Sequence, residues 1–472
     1  MTGEPESCEI GMIGLGVMGR NLLLNIAGSG FTAAGYDKDT GKVRLLEQEA
    51  KGLPITGASE LKDLAGLLSK PRTVIVLVPS GVAVDAVIDS FSPFLEKGDL
   101  MIDAGNSHYK DTERRAQDLA AKGLHFMGMG ISGGAEGARR GPSIMGGGDK
   151  TAYEKVRPVL EAVSAKAGGE PCAAWVGPGS AGHFVKMVHN GIEYAFMQLI
   201  AESYDIMKRG LGLNDEELSA VYAGWNKVEL NSYLMEITAR IFSRVDEKTG
   251  NLLINEIADA ARQKGTGMWT AQAAMELQVP APTIDAAVSM RDLSSRVDER
   301  AAAAGLSGGA VLKLPGAKKE TLERLRKALY AALMISYAQG MDLLSAASKK
   351  RGYELKLDTI AGIWRGGCII RSAMLDDIRA AYRLAPELPG LLSDPGIIKK
   401  VLACHSDLRA LVSSAALAGL PAPAFMSALG YFDAYRSGWL PANLIQAQRD
   451  YFGAHTYERK ESKGAFHTEW EK

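Results

Sequence analysis

Cysteine is scarce in this chain of 472 residues: there are four, Cys8, Cys172, Cys368 and Cys404, and no two form a CxxC pair. That spacing excludes a disulfide framework and a zinc site of the usual kind, so no metal is expected, and it points to a reducing, cytoplasmic compartment. Long apolar runs are missing too. The longest strongly apolar stretch, Val74–Val78, has the length of a buried strand and falls far short of the ~20 residues a membrane helix needs. The opening MTGEPESCEI is acidic and has no apolar core, so no secretory leader is expected. Neither sign of charge is in excess, with 54 Lys+Arg against 55 Asp+Glu, which argues against bulk attraction to nucleic acid or membrane. Glycine, by contrast, is abundant at 53 residues, and much of it precedes residue 182, where it suits many tight strand-to-helix turns.

Taken from the start, Glu9–Ile13 reads as a buried strand that runs into Gly14-Leu15-Gly16-Val17-Met18-Gly19 and then an apolar helix. This is the dinucleotide fingerprint in its required setting of strand, turn and helix. Gly14 allows the tight turn, Gly16 lets backbone approach a pyrophosphate, and Gly19 lets helix and strand pack closely. A second strand ends in Asp37, the expected place for an acid that contacts a ribose, followed by Lys38 and Asp39. Strands and helices then alternate through Met145, which predicts a Rossmann-type, parallel, doubly wound sheet of the α/β class. Three polar turns fall at the carboxyl ends of its strands: Val78-Pro79-Ser80, Gly105-Asn106-Ser107 and Ile131-Ser132-Gly133-Gly134. Each alone is ordinary turn chemistry, but together they line the edge where a dinucleotide lies.

Beyond residue 180 helical periodicity dominates. The expected organisation is a dinucleotide-binding domain over 1–179, an all-helical substrate and dimerisation domain over 180–440, and a tail over 441–472. The helical part reads as a diverged duplication, because Leu218–Trp225 resembles Leu357–Trp364. Its first helix, capped by Ser180, carries Lys186, His189, Asn190 and Glu193 on one stripe and Val188, Ile192, Ala195 and Leu199 on the opposite face. A solvated face is the ordinary reading of such a stripe. Four different chemistries on one stripe, with Gly191 inside the helix at a cost of about 1 kcal/mol, point instead to the floor of an active site. Gln263–Trp269 places Lys264 and Thr266 on a glycine-flanked turn that suits an anion. Arg291 serves the same anion or pairs with Asp292. The chain ends in a polar segment, Glu458–Gly464, too short for a core of its own.

Six blocks of sequence, GLGVMGRNL at 14–22, DAGNSHY at 103–109, GISGGAEGARRGPSIM at 130–145, HFVKMVHNGIEY at 183–194, QKGTGMW at 263–269 and LIQAQRDYFGAHTYE at 444–458, closely resemble the decarboxylating 6-phosphogluconate dehydrogenase family over nearly the whole chain. The resemblance implies oxidative decarboxylation of 6-phosphogluconate to ribulose 5-phosphate, the pentose phosphate reaction, with Lys186 as general base and Glu193 as general acid. It implies that Asn106, Ser132, Gly133, Gly134, His189 and Asn190 hold the substrate's carboxylate and hydroxyls, and that Tyr194, Lys264, Thr266 and Arg291 hold its phosphate. Arg449 and His455 match residues that reach the substrate from the neighbouring subunit of a homodimer. NADP is the cofactor the family implies. Two departures bear on it: Asp37-Lys38-Asp39 stands where many members carry Asn-Arg-Thr, and Pro79 replaces a lysine. The acid in place of asparagine leads us to expect use of NAD as well. The alternatives are a related β-hydroxyacid dehydrogenase acting on another substrate and a non-catalytic NAD(P)-binding protein. The phosphate set argues against the first, and retention of both Lys186 and Glu193 against the second.

Overall fold

The structure, a computed structural model, describes residues 7–307 and 311–471. The expectation about a leader rests in part on residues 1–6, which lie outside the described residues. Short apolar segments build the first half. They are β1 (Ile10–Ile13), β2 (Ala33–Tyr36), β3 (Ile55–Gly57), β4 (Thr73–Val76), β5 (Leu100–Asp103), β6 (His125–Ser132) and β7 (Ser143–Gly148). A small hairpin of β8 (Lys166–Ala167) and β9 (Glu170–Pro171) leads into β10 (Ala173–Gly177). One eight-stranded sheet results, in the order β10-β7-β6-β5-β4-β1-β2-β3.

The alternation predicts a wholly parallel sheet, and the sheet departs from that at one pair. β6 and β7 pair antiparallel, and β10 follows β7 in its direction. Segment 133–142, with its short helix Gly134–Arg140, is briefer than the dozen or so residues a parallel crossover needs, so the chain returns beside the strand it has left. The strand order reverses between β1 and β4. The turns at the ends of β1, β2, β4, β5 and β6 therefore share one edge, the place where such sheets take ligands.

After Gly177 the chain enters a helix of seven turns, Ala181–Asp205, which lies directly on that edge. A Cβ at Gly182 would collide with Gly128 O, Met145 O and Gly147 N, and one at Gly130 would collide with the Lys186 side chain. At Gly147 and Gly182 no side chain separates helix from sheet, so backbone touches backbone there. Ser180 stands at the N-cap as expected, but its hydroxyl bonds the Tyr353 hydroxyl (2.7 Å) instead of capping.

A second long helix, Lys318–Arg351, crosses the first. Gly340 leaves room for Ile192 and Val188, and Phe196 meets Tyr337 edge to face at 4.8 Å. The two matched motifs sit among paired features. The helices Asp215–Trp225 and Leu357–Ile363 carry the matched motifs, and Ser232 and Ser372 form an antiparallel bridge between the two units. Each unit also has a helix that starts on proline, Pro282–Ser294 in one and Pro423–Tyr435 in the other. Each long helix supplies an acceptor to one of them: Gln339 Oε1 takes the Thr283 N–H at 3.0 Å, and Glu202 takes those of Ala424 (2.9 Å) and Phe425 (3.1 Å).

The tail holds a helix, Ala442–Gly453, and a hairpin, β11 (Tyr457–Arg459) with β12 (Ser462–Phe466), the latter formed across the segment Glu458–Gly464 that the sequence marks only as polar. Among the described residues no helix is long and apolar enough to cross a membrane.

Glu202 generates a prediction. Burial raises its carboxyl to about 7, against the lowering effect of the Ala424 N–H, the Gln198 amide and the Phe425 N–H. The folded form then binds its proton more tightly than the unfolded form does. The stability this contributes is full below the unfolded value of about 4.3 and is lost as pH rises through 7. Glu202→Gln removes the dependence. Its melting temperature relative to the parent chain rises between pH 5 and pH 8, by the equivalent of about 1–3 kcal/mol. An unchanged difference across that range would show that Glu202 keeps an ordinary carboxyl.

Candidate active site

The glycine turn has the properties a pyrophosphate needs. Gly14 is left-handed (φ 100°), and a Cβ there would strike Leu77 O. A Cβ at Gly19 would strike Gly14 O, while one at Gly16 meets nothing within 4 Å. The helix that follows, Val17–Gly28, starts on Gly16 with no side-chain cap, so its first-turn N–H groups are open to an anion. These residues fit a dinucleotide's phosphates.

Asp37 does something other than wait for a ribose. Its Oδ2 accepts from the Leu15 N–H at 2.8 Å, its Oδ1 from the Asp39 N–H at 2.9 Å, and the Lys42 ammonium lies 3.4 Å from both oxygens. The carboxylate therefore clamps the glycine turn to the end of β2, and its charge is partnered. Asp39 caps the next helix by accepting from the Gly41 N–H (2.9 Å), and Lys38 is exposed. Val78 is half-buried against Gly14, with Pro79 and Ser80 exposed beyond it. Asn106 sits exposed at the tip of the next turn. Asp103 holds that turn by accepting from the Gly105 N–H (3.0 Å) and the Ser107 hydroxyl (2.6 Å). Buried Arg115 ties Asp103 to Asp85 and Gly81 O in the neighbouring turn.

The polar stripe is buried, not solvated: Lys186, His189 and Asn190 are all in the interior, and the Glu193 side chain is one-fifth exposed. It is also internally satisfied. Asn190 Oδ1 accepts from Lys186 Nζ (2.8 Å) and faces His189 Nδ1 (3.0 Å), and Asn190 Nδ2 donates to Thr266 Oγ1 (3.2 Å). His189 Nε2 meets Ser132 Oγ at 3.1 Å. A neutral imidazole protonated at Nδ1 satisfies all of these contacts at once. Burial, helped by the Lys186 charge, holds His189 well below its ordinary value. Burial also lowers Lys186, against the opposing pull of Glu193, and raises Glu193, against Lys186 and Arg291. The two ends of the stripe are thus displaced towards a neutral amine and a protonated acid.

Gly191 answers to a close neighbour. Its Cβ would lie 2.5 Å from Thr270 on the helix Thr266–Glu276, whose first residue bonds Asn190. Lys264 is exposed just before that helix, with left-handed Gly265 between them. Arg291 does not pair with Asp292, which bonds Gln263 instead (2.6 Å). Its guanidinium stacks on the Tyr194 ring at 3.4 Å, beside Glu193. Ser132, Gly133 and Gly134 close the opposite side. One segment there escapes the sequence reading: the Ile369 N–H reaches Ser132 Oγ (3.4 Å), Gly367 O abuts Gly133, and Trp364 lies edge-on to His189 at 5.7 Å. The adjacent glycines Gly366 and Gly367, directly after a duplicated motif, were the available signal. Arg449 and His455 are not brought to this cluster by their own chain's packing. Both are exposed on the tail, whose helix packs chiefly on its own hairpin.

Comparison with known proteins follows the same outline. Residues 9–177 match the family model of the NAD binding domain of 6-phosphogluconate dehydrogenase, and residues 182–470 match that of its C-terminal domain. A protein of Bacillus subtilis (strain 168), "6-phosphogluconate dehydrogenase, NADP(+)-dependent, decarboxylating", is 52% identical over 98% of this chain and 99% of its own length. The decarboxylating 6-phosphogluconate dehydrogenase of Mus musculus is 50% identical over 98% of this chain and 96% of its own. The Plasmodium falciparum enzyme, whose structure is described apo, with its cofactor NADP+ and with its substrate 6-phosphogluconate, superposes with a TM-score of 0.95. It is 43% identical and covers 98% of this chain and 100% of its own. The chain belongs to the 6-phosphogluconate dehydrogenase family.

Proposed function

We propose that this chain oxidises and decarboxylates 6-phosphogluconate to ribulose 5-phosphate and CO2, with NADP as electron acceptor. The observation that carries the reading is the buried pair on one helix face, about two turns apart. Lys186 is displaced towards the free amine and Glu193 towards the acid. Bound NADP supplies the acceptor for the hydride that leaves C3. Lys186 takes the proton of the C3 hydroxyl. A ketone at C3 is β to the C1 carboxylate, so the C1–C2 bond can break with its electrons delocalised onto the C3 oxygen. Lys186, now an ammonium, stabilises that oxygen. Glu193 delivers a proton to the carbon that has lost CO2.

Ser132, Gly133, Gly134, His189, Asn190 and Asn106 hold the carboxylate and hydroxyls. Tyr194, Lys264, Thr266 and Arg291 hold the phosphate; the Arg291 guanidinium stacks on Tyr194, and its Nη atoms make long contacts, to Arg262 O (3.5 Å) and Met197 Sδ (3.4 Å), that a phosphate's charge outcompetes. Lys186→Met is expected to bind substrate within tenfold of the parent while kcat falls by roughly 10³ or more, since it removes both a base and a charge partner. Glu193→Gln lets cofactor reduction run ahead of ribulose 5-phosphate release. Stopped-flow absorbance at 340 nm with product trapping reads both, and normal turnover of Lys186→Met would remove that residue from the mechanism.

With Asp37 engaged by Leu15, Asp39 and Lys42, its repulsion of a 2′-phosphate is muted and Lys38 is the available cation. NADP is then the better substrate, and NAD, whose ribose needs no cation, is also accepted. Lys38→Ala should lower kcat/KM for NADP by about tenfold, the worth of one phosphate contact of ~1.4 kcal/mol, and leave that for NAD within twofold. Equal losses with both cofactors would contradict this.

The active unit is a homodimer whose tails complete each other's sites. Leu444, Ile445, Tyr451 and Phe452 are all more than half exposed on the tail, an apolar surface suited to a second chain. Mixing Lys186→Met chains with Arg449→Ala chains tests it. Crossed tails give each mixed dimer one site with an intact lysine and an intact arginine, so activity rises above both parents. Tails that serve their own chain give no recovery once subunit exchange has been verified by mass.

A further inference from the structure

The tail is built inside out. Its large apolar side chains face solvent, and among its described residues the one that is fully buried is a carboxylate, Asp450. Four donors converge on it. Oδ1 accepts from the Thr456 N–H (3.0 Å) and lies 3.0 Å from His467 Nδ1, while Oδ2 accepts from the Thr468 N–H (3.0 Å) and the Trp470 Nε1–H (2.9 Å). Burial works to raise this carboxyl, but bonds from His467, Thr468 and Trp470 outweigh it and hold it at about 2, so it is an anion at any working pH.

The backbone beside it is strained. Ala454 (φ 49°) and Thr456 (φ 60°) are both left-handed, and the residue between them is His455. A β-branched residue at such an angle is an outlier, and strain of this kind persists only where the surroundings impose it. Here the constraint is visible. Asp450 bonds the Thr456 N–H, and Gln446 donates to Thr456 O while accepting from Arg449 Nη1 at 3.0 Å.

We propose that Asp450 is a positioning residue for substrate binding: it forces the Ala454–Thr456 turn into left-handed backbone and so aims His455, with Arg449 fixed beside it, into the second chain's site. This rests on the reading that the tail completes that site. The carboxylate does not touch substrate. It acts through a turn that would otherwise relax, and a rigid tail can dock without ordering the His455 and Arg449 side chains at that moment.

Steady-state kinetics of full-length variants test this. Asp450→Asn keeps the size of the side chain but turns an amide donor towards donors. It should raise KM for 6-phosphogluconate at least tenfold, with kcat within threefold and KM for NADP within twofold. Thr456→Gly alone should stay within threefold of the parent, since glycine adopts this angle without strain. Adding Thr456→Gly to Asp450→Asn should recover at least threefold of the lost KM, which a merely structural role for Asp450 does not predict. An Asp450→Asn enzyme with unchanged KM overturns the proposal, provided His455→Ala and Arg449→Ala each raise it. So does a parallel rise in both KM values that Thr456→Gly leaves unrelieved. If His455→Ala and Arg449→Ala have no effect either, the crossed-tail reading fails and takes the proposal with it.

Discussion

How closely one helix can approach one sheet decides the rest of this molecule. The Ala181–Asp205 helix seats tightly on β6 and β7 because Gly147 and Gly182 bring backbone to backbone and Gly128 and Gly130 leave room for the His183 and Lys186 side chains. That seat brings His189 to Ser132 at the end of β6 and lays the Lys186 side chain against Gly130. One added methyl at Gly182 would push the stripe away from the turns that face it. Chemistry here is therefore set by backbone proximity first and by side chains second.

The same closeness explains the burial of Lys186, His189 and Asn190 on one stripe. An interior amide or amine without partners costs several kcal/mol, so a buried stripe must be a closed network. Asn190 closes it, accepting on one side and donating on the other to Thr266. Because Gly191 lets the Thr266–Glu276 helix come close, that second helix is held by both a hydrogen bond and a packing contact. The glycine that seems to weaken the helix in isolation is what allows its neighbour to approach.

Local patterns were legible in the sequence, and long-range contacts were not. The fingerprint, the alternation of strands and helices and the start of the site helix at Ser180 all follow from spacing within about twenty residues. The antiparallel turn of β7 was readable in principle from the short 133–142 connection. The engagement of Asp37 by Leu15, the stacking of Arg291 on Tyr194 and the approach of Gly367 to Gly133 join residues far apart in sequence, where no periodicity carries information. The tail hid for another reason. A search for cores looks for apolar residues, and the centre of this one is a carboxylate.

The two long helices bury different kinds of surface. The first kept ionisable groups at its buried surface. The second, from Ala328 to Leu344, is interior along almost its whole length with alanine, leucine, methionine and tyrosine, and none of its residues between Leu329 and Met341 is ionised at neutral pH. One helix is the instrument and the other its bench. Natural variation should then be tolerated by different rules in the two: substitutions in the second helix are judged by volume, and those in the first by proton affinity.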